Sequence, residues 1–251
     1  MSIRMVHLPI PKRLIMARRN EQPACENCSN RMRSVFCDLH GEELESLNES
    51  KGCGDYKKGQ IIFNAGAYPH GLYCVNEGKI KIYRVGDEGK EQIIRLAKGG
   101  DILGYRALLS GDKYSSTAMA IDDCKICFIP QSSFLKLLEG NGMLSMQLMK
   151  LLSNDLKEAE HRITDLAQKP VRERVAEALL YLKHTYGYEQ DGVTLDVTLS
   201  REDIANIVGT ATETTIRLLS ELKHDQVIGL NGKHISILDH KQLLKVANIY
   251  D

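Results

Sequence analysis

The chain has 251 residues, which suits one large domain or two smaller domains with hydrophobic cores of their own. Its 33 basic residues balance its 33 acidic residues, so net charge favours neither nucleic acid nor a membrane surface as a partner. No apolar run approaches the length of a membrane span, and the N-terminus lacks the apolar stretch typical of a secretory signal. We therefore expect a soluble, cytoplasmic protein with no membrane partner, in which any nucleic-acid contact comes from a local surface.

Seven cysteines are many for a cytoplasmic chain, and their odd number argues against a framework of disulfide bonds. Cys25, Cys28 and Cys37 lie close together before the first predicted strand. We therefore treat residues 1–40 as a separate, cysteine-containing N-terminal segment.

Residues 41–140 are predicted to form a compact antiparallel β-roll. Short apolar segments follow one another at regular spacing, and glycines fall between them, where turns require a positive φ. The predicted strands are Ile61–Phe63, Leu72–Val75, Lys79–Tyr83, Gln92–Leu96 and Lys125–Ile129. A short helix is predicted over residues 131–140, immediately before a much longer one.

A long amphipathic helix is predicted over residues 141–169. Its apolar residues alternate at spacings of three and four, the heptad pattern of a helix with one narrow apolar strip. We call this strip the seam, and its residues are Met149, Leu152, Leu156, Ala159, Ile163 and Leu166. Pro170 ends the helix because the residue before a proline avoids the α conformation. The seam alone fits equally a helix that pairs with another helix and one that lies on its own domain.

Residues 170–251 are predicted to form a small α+β domain. An amphipathic helix comes first, an alternating strand follows, and an Asn231-Gly232 turn between two short apolar segments predicts a β-wing. These elements are placed at Val171–Lys183, Val193–Leu199, Val227–Leu230 and His234–Leu238.

Two short helices are predicted just before the wing. Ser200 matches an N-cap that opens the helix Arg201–Val208, and Gly209 fits the turn that ends this helix. Thr210 and Glu213 match a T-x-x-E capping box, which predicts that a second helix begins there. Two short helices around a glycine turn are typical of a helix-turn-helix, whose second helix enters the major groove of DNA.

The sequence LSREDIANIVGTATETTIRLLSELK, residues 199–223, followed by the wing, resembles the helix-turn-helix of the CRP/FNR superfamily of bacterial transcription regulators. The resemblance covers about residues 38–243, in domain order and in local motifs. It implies an α+β fold with an N-terminal antiparallel β-roll of the cyclic-nucleotide-binding type, a long dimerisation helix and a C-terminal winged helix-turn-helix. It also implies a regulator that binds double-stranded DNA and is not an enzyme.

In this family the second helix of the motif, here residues 212–223, carries a glutamate and, four residues later, an arginine that read base edges. Glu213 and Arg217 match these positions, and such side chains can bind cytosine N4 and guanine O6 and N7. The structural alternatives are that Glu213 only caps the helix and that Arg217 only pairs with Glu213. The candidate DNA-binding residues, on one exposed face or at its margin, are Thr212, Glu213, Thr214, Ile216 and Arg217.

Pairing of two chains follows from charge as well as from the resemblance. Between residues 200 and 234 five acids outnumber four bases, so one motif is expected to bind DNA weakly. The resemblance implies a homodimer on a palindromic operator, and the uncharged seam is expected to hold it together with or without a signal. RNA polymerase is a further candidate partner, with no contact surface assigned.

The resemblance also allows two kinds of signal to be compared, of which the first is cyclic AMP. In the branch that binds this nucleotide, a glutamate holds the ribose and an arginine holds the phosphate, and Tyr105 and Ser115 stand at these positions. Without the arginine a buried phosphate loses its charge-assisted contact, so cyclic AMP is not expected here. A different small effector could still use the roll.

The second kind of signal is an iron–sulfur cluster. In the oxygen-sensing branch, three N-terminal cysteines and one in a late strand of the roll hold the cluster, and the cysteines that match are Cys25, Cys28, Cys37 and Cys127. The interval between the second and third is longer than is usual in the family. Four thiolates suit a [4Fe–4S] cluster or a tetrahedral Zn²⁺, and Cys53 could replace one ligand. The alternative is a set of reduced cysteines that binds no metal.

Three functional hypotheses follow. The first is a dimeric DNA-binding regulator that responds to oxygen or redox state through the cluster. The second keeps the DNA-binding role and gives the roll a small-molecule effector other than cyclic AMP, or none. The third is a cysteine-dependent redox enzyme, which is disfavoured because no cysteine has a histidine or acid at a recognised catalytic spacing.

Overall fold

A computed structural model describes residues 23–249 of the chain. The outer ends of the predicted segments 1–40 and 170–251 therefore lie outside the described residues. The predicted α+β architecture is confirmed, because a β-roll, a long helix and a winged helix-turn-helix follow one another. Two 3-10 turns, Cys25–Asn27 and Arg31–Arg33, precede the roll.

The roll consists of two four-stranded antiparallel sheets. Its strands are β1 (Gly52–Tyr56), β2 (Ile61–Phe63), β3 (Gly71–Glu77), β4 (Lys79–Val85), β5 (Glu91–Lys98), β6 (Ile102–Leu103), β7 (Thr117–Ala120) and β8 (Cys124–Pro130). The strand order is β1-β8-β3-β6 in one sheet and β2-β7-β4-β5 in the other. Val75, Ile80 and Ile126, which come from both sheets, are fully buried in the shared core.

The five predicted strands are confirmed, and the structure adds three that the sequence pattern did not predict. Strand β1 is rich in glycine, β6 has only two residues, and β7 consists of Thr-Ala-Met-Ala, so none shows a clear apolar period. The helices of the roll are α1 (Gly41–Ser50), α2 (Tyr105–Ser110) and α3 (Gln131–Gly140), of which only α3 was predicted.

The long helix α4 spans Gly142–Gln168, within one residue of the predicted bounds. The side chain of Asn141 caps its first turn by accepting a hydrogen bond from the backbone N–H of Leu144 at 2.8 Å. Leu144 and Leu148 are buried against the roll, whereas most of the residues that follow are exposed. The helix therefore buries its apolar side chains in its own domain mainly near its beginning.

The C-terminal domain consists of α5 (Val171–Tyr186), α6 (Arg201–Val208), α7 (Thr212–His224), β9 (Ile228–Asn231), β10 (His234–Ile237) and α8 (His240–Val246). The predicted cap of α6 is confirmed, because Ser200 and Asp203 exchange side-chain and backbone hydrogen bonds in a full capping box. Gly209 ends α6 with a φ of 72°, a conformation that glycine adopts at little cost.

Three predictions about this domain were wrong. Val193–Leu199 forms no continuous strand and contributes only isolated bridges at Thr194 and Leu195. The side chain of Asp191 accepts hydrogen bonds from the backbone N–H groups of Val193 and Thr194, which bends the chain where the strand would begin.

The predicted capping box of Thr210 and Glu213 is also wrong. The N-cap of α7 is Ala211, which makes no side-chain capping bond, whereas the N–H of Thr210 belongs to the end of α6 and donates to the carbonyl of Ala205. In the wing, Asn231 pairs with His234, so the hairpin turn lies one residue later than predicted.

The C-terminal domain packs directly on the roll. Tyr83, Ile93 and Leu96, on β4 and β5, belong to the same buried cluster as the cores of α5, α6 and α7. The C-terminal domain therefore contacts the sheet of the roll that contains β4 and β5. Among residues 23–249, none of the helices combines the length and the apolar character that a lipid bilayer span requires.

Candidate nucleic-acid interface and cysteine cavity

Helix α7 buries one face and leaves the other free. The inward residues are Thr215, Leu218, Leu219 and Leu222, all of which are nearly or fully inaccessible to solvent. Glu213, Ile216 and Arg217 are exposed on the opposite side, because spacings of three and four keep residues on one helix face. Thr212 and Thr214 are half-buried at the edges of this face.

Sequence reasoning missed one residue on the same face, Ser220. It is exposed one turn after Ile216, and its hydroxyl donates to the carbonyl of Ile216 at 2.9 Å. Extending the spacing of three and four beyond Arg217 would have found it. The free face of α7 therefore combines an acid, a base, a hydroxyl and an apolar side chain.

The two structural alternatives for Glu213 and Arg217 do not describe this helix. Arg217 forms its ion pair with Glu221, four residues later, and not with Glu213. Glu213 makes no capping hydrogen bond at the start of α7. Since the guanidinium of Arg217 is 64% exposed, a base that approaches this face meets a side chain held only by a surface pair.

Charges outside the motif offset its acidic excess. Asp203 pairs with Lys81 of the roll at 2.8 Å. Arg172 of α5 pairs with both Glu221 and Asp225, at 3.0 and 2.8 Å. Three of the five acids counted in the motif are thus paired with two bases that lie elsewhere in the chain. The potential near α7 is therefore less negative than the local sequence indicated.

The wing is tied to the first helix of the motif. Arg201 donates from Nη2 to the carbonyl of Gly232 in the hairpin turn at 2.9 Å. The wing is therefore held against the beginning of α6, within the arrangement of a winged helix-turn-helix.

The seam on α4 is largely uncovered. Met149, Leu156, Ile163 and Leu166 are 52, 62, 67 and 47% exposed, and Ala159 is exposed as well. Only Leu152 is half-buried, since it packs against the core of the roll. Large apolar side chains that remain in water along several helical turns are typical of a surface for another macromolecule.

Tyr105 fills the place that the resemblance gave to the ribose-binding glutamate. It is 1% exposed, and its hydroxyl donates to Asp155 of α4 and accepts from Nη1 of Arg95 at 3.0 Å. Burial, followed by the nearby carboxylate of Asp155, raises the pKa of Tyr105 to about 12, although Arg95 opposes the shift. Ser115, at the phosphate position, is exposed. Arg95, Tyr105 and Asp155 form a closed polar contact between the roll and α4.

Cysteines from distant parts of the chain line one cavity between the N-terminal turns and the sheet. Cys25 and Cys28 come from the first 3-10 turn and its end, Cys74 from β3 and Cys127 from β8. Burial, then the neighbouring Cys28 and Cys25, raises the pKa of Cys74 to about 12, so this thiol is neutral without a metal. Cys37 does not line the cavity.

The sheet also places Cys53, which does not line the cavity, beside Cys127. Cys53 on β1 lies directly opposite Cys127 on β8, and the two form a disulfide in this structure. A reducing cytoplasm would hold such a pair as thiols, which leaves Cys127 available. Within residues 23–249, no three His, Cys, Asp or Glu side chains are grouped as ligands of a single metal ion.

Sequence reasoning missed Cys74 as a neighbour of the N-terminal cysteines and treated it as a strand residue. The signal that could have found it is the pairing of β3 with β8, which places Cys74 directly opposite Cys127. That register depends on strand order, which the sequence pattern did not predict.

Comparisons with known proteins agree with this architecture. Residues 54–141 match the family model of the cyclic nucleotide-binding domain, and residues 173–246 match that of the Crp-like helix-turn-helix domain. A β-roll joined to a winged helix-turn-helix with one free face defines a DNA-binding transcription regulator.

The relatives define the family more closely. The chain is 32% identical over 229 residues to the fumarate and nitrate reduction regulatory protein of Vibrio cholerae serotype O1, covering 90% of each chain. It is 30% identical to the anaerobic regulatory protein of Pasteurella multocida, covering 89% of this chain and 82% of that one. The chain belongs to the CRP/FNR family of transcription regulators, and its relatives are regulators and not enzymes.

Solved structures show the same fold. A CRP/FNR-family transcriptional regulator from Thermus thermophilus has a TM-score of 0.67 at 28% identity, covering 78% of this chain and 98% of that chain. FixK2 from Bradyrhizobium japonicum has a TM-score of 0.71 at 25% identity, covering 80% of this chain and 99% of its own.

Proposed function

We propose that this regulator is a homodimer that reads a palindromic DNA site with helix α7. The observation that carries the proposal is the free face of α7, where Glu213 and Arg217 are both exposed and are not covered by any other part of residues 23–249. Arg and Glu side chains at this spacing suit guanine and cytosine edges in the major groove. Thr212, Thr214 and Ile216 flank them and complete the proposed reading surface.

The seam supports the dimer. A single motif with a nearly balanced charge gains little from phosphate contacts, so two motifs are needed for useful affinity. Pairing of two α4 helices along Leu156, Ala159 and Ile163 would cover the apolar side chains and bring two α7 helices to the same DNA. This partner is a second copy of the chain because a symmetric reader requires two identical motifs.

The signal that we propose is oxygen or redox state, sensed by an iron–sulfur cluster with cysteine ligands. The names of several relatives refer to anaerobic regulation or to fumarate and nitrate reduction, which supports this class of signal. The donor chemistry also fits, because Cys25, Cys28 and Cys127 face one cavity and soft thiolates suit iron–sulfur groups. A bound cluster would supply the oxygen sensitivity, and the sequence prediction assigns its fourth ligand to Cys37.

The regulator is proposed to act in the cytoplasm, where its DNA lies, with RNA polymerase as its protein partner at the promoter. Cyclic AMP is not proposed as the effector. Tyr105 and its partners Arg95 and Asp155 fill the region that would take the ribose, and Ser115 offers no charge for the phosphate.

The experiment that tests DNA reading is selection of bound sequences from a random pool, followed by titration of the best site. Arg217→Ala should lower affinity for that site by about 10- to 100-fold per half-site and flatten the sequence preference. Arg84→Ala is the matched control, because it removes one exposed arginine from the roll. If Arg217→Ala selects the same sequences with unchanged preference, α7 is not the reading helix.

A further inference from the structure

The pattern of cysteines in the sequence assigns the fourth ligand of the cluster to Cys37. The fold indicates a different cysteine. Cys25, Cys28, Cys74 and Cys127 line one cavity of about 40 Å³. Cys37 does not line this cavity, whereas Phe36, the residue before it in the chain, does. Four cysteines, two from the N-terminal segment and two from the sheet, therefore line the cavity without Cys37, and they must come closer together to hold one metal group.

Strand register fixes the position of Cys74 relative to Cys127. The two residues lie directly opposite each other on the antiparallel strands β3 and β8. Such residues point to the same face of a sheet, with Cβ atoms about 4.5–5.5 Å apart. A group that binds the thiolate of Cys127 from this face therefore lies next to Cys74 as well.

The backbone on both sides of Cys37 is anchored in the roll. Phe36 and Leu39 are 3 and 1% exposed in its core. Arg31 donates from Nη1 to the carbonyls of Cys37 and Leu39, both at 3.1 Å. Moving the thiol of Cys37 into the cavity would require Phe36 to leave it, at the cost of a buried aromatic side chain.

The cavity also contains a buried cation. Lys51 is 6% exposed, and no carboxylate oxygen of the described residues lies within 4.0 Å of its ammonium group. Its Nζ donates to the side-chain oxygen of Asn48, which is neutral, and contacts the sulfur of Cys25 at 3.1 Å, while the amide of Asn76 donates to the sulfur of Cys28 at 3.2 Å. Buried charges are normally paired, so Lys51 indicates that an anionic group, such as a set of thiolates, belongs beside it.

We infer that Cys74 is the fourth thiolate ligand of the cluster, together with Cys25, Cys28 and Cys127, and that Cys37 is not a ligand. This inference rests on the proposed function, since it names the ligands of the same cluster. Cys127 binds the cluster only when its bond to Cys53 is reduced, and the N-terminal turns must move outward to widen the cavity.

The test compares the full chain with single variants, each purified without oxygen from a host that assembles clusters. Iron, acid-labile sulfide and zinc are measured per chain, together with the visible absorption spectrum and the circular dichroism. Cys74→Ala should lose at least about nine-tenths of its iron and sulfide, whereas Cys37→Ala should retain the wild-type content. Cys124→Ala is the matched control, because it removes another buried thiol of the roll that does not line the cavity.

The outcomes separate the inference from the proposal on which it rests. If the wild type and Cys74→Ala both contain iron and sulfide, the inference is overturned and the cluster remains. The same conclusion follows if Cys37→Ala loses its iron while the wild type keeps it. A wild type without iron and sulfide overturns the cluster and the inference together. If Cys74→Ala does not fold, the Cys37→Ala result still decides between the two ligand sets.

Discussion

Lys81 on β4 and Asp203 in the first turn of α6 form an ion pair of 2.8 Å that joins the roll to the helix-turn-helix. The same carboxylate accepts hydrogen bonds from the backbone N–H and the hydroxyl of Ser200. Nearby, Gln92 on β5 donates to the carbonyl of Asn206 at 2.6 Å. A movement of β4 and β5 would therefore act directly on the helix that precedes α7.

This ion pair should make stability depend on pH in the acid range. Burial alone would raise the pKa of Asp203, but Lys81 and Ser200 outweigh it and hold the pKa below its usual value of 3.8. A carboxyl with a lowered pKa stabilises the fold fully above its unfolded pKa, and this stabilisation is lost as pH falls through the folded pKa. Asp203→Asn should lower the free energy of unfolding by about 1–3 kcal/mol near neutral pH.

The measurement is denaturant unfolding from pH 7 to pH 3, for wild type and Asp203→Asn in parallel. The difference between the two proteins should be constant above about pH 5 and should shrink below pH 4. Asp123→Asn is the control, because Asp123 forms an exposed pair with Lys57, and its loss should change stability little. A difference that does not vary with pH would contradict this role of Asp203.

Charge on the seam should separate the proposed dimer without unfolding the chain. Leu156 and Ile163 are 62 and 67% exposed, so a glutamate at either position meets water in the monomer. In a dimer the same carboxylate would be buried against its symmetry copy, which should weaken association by about 100-fold or more. Analytical ultracentrifugation over a concentration series measures the effect.

Lys157→Glu provides the matched control for the seam. It places the same side chain at an exposed position next to Leu156 and off the seam. It should leave the dimer intact. Because the seam carries no charge, the metal-free wild type should also sediment as a dimer, and a signal would then reorient the DNA-binding domains about Lys169 and Pro170. A metal-free monomer would show instead that assembly is the switch.

The sequence was informative where local chemistry decides structure and uninformative where distant strands meet. Ser200 and Gly209 mark both ends of α6 by capping and by backbone conformation, so its bounds were predicted correctly. The proximity of Cys74 to Cys127, in contrast, depends on the pairing of β3 with β8, which are far apart in the chain. Periodicity reports which face of a strand is buried but not which strand lies beside it.

The same limit applies to the contacts between domains. The five acids of the motif could be counted from the sequence, but their partners Lys81 and Arg172 lie far outside it. The sequence therefore predicted a more acidic surface than the fold presents. It assigned Tyr105 to the position of the family's glutamate, yet gave no indication of its contact with Asp155 on α4.

That contact leads to a prediction about Tyr105→Phe. Loss of the hydroxyl leaves Arg95 and Asp155 without a shared partner in a mostly buried site, which should lower the free energy of unfolding by about 1–3 kcal/mol. Hydrogen exchange should also increase in the middle of α4, where Asp155 lies. Tyr114→Phe is the control, because its hydroxyl makes only a long contact of 3.5 Å with Gly71 and should matter less. If the two variants lower the free energy of unfolding equally, the contact of Tyr105 with Arg95 and Asp155 has no special importance for stability.

The disulfide between Cys53 and Cys127 should stabilise the roll in an oxidising buffer. It joins residues that are 74 apart in sequence, and loss of a crosslink of this span should cost about 4 kcal/mol in the chain-entropy relation. Thermal unfolding with and without reductant measures the effect, and thiol titration should give two fewer free thiols in the oxidised protein. Cys53→Ala should unfold identically in both buffers, and since Cys53 is not a proposed cluster ligand, it should retain the wild-type iron content when purified without oxygen. A reductant effect that persists in Cys53→Ala would show that another pair of cysteines is responsible.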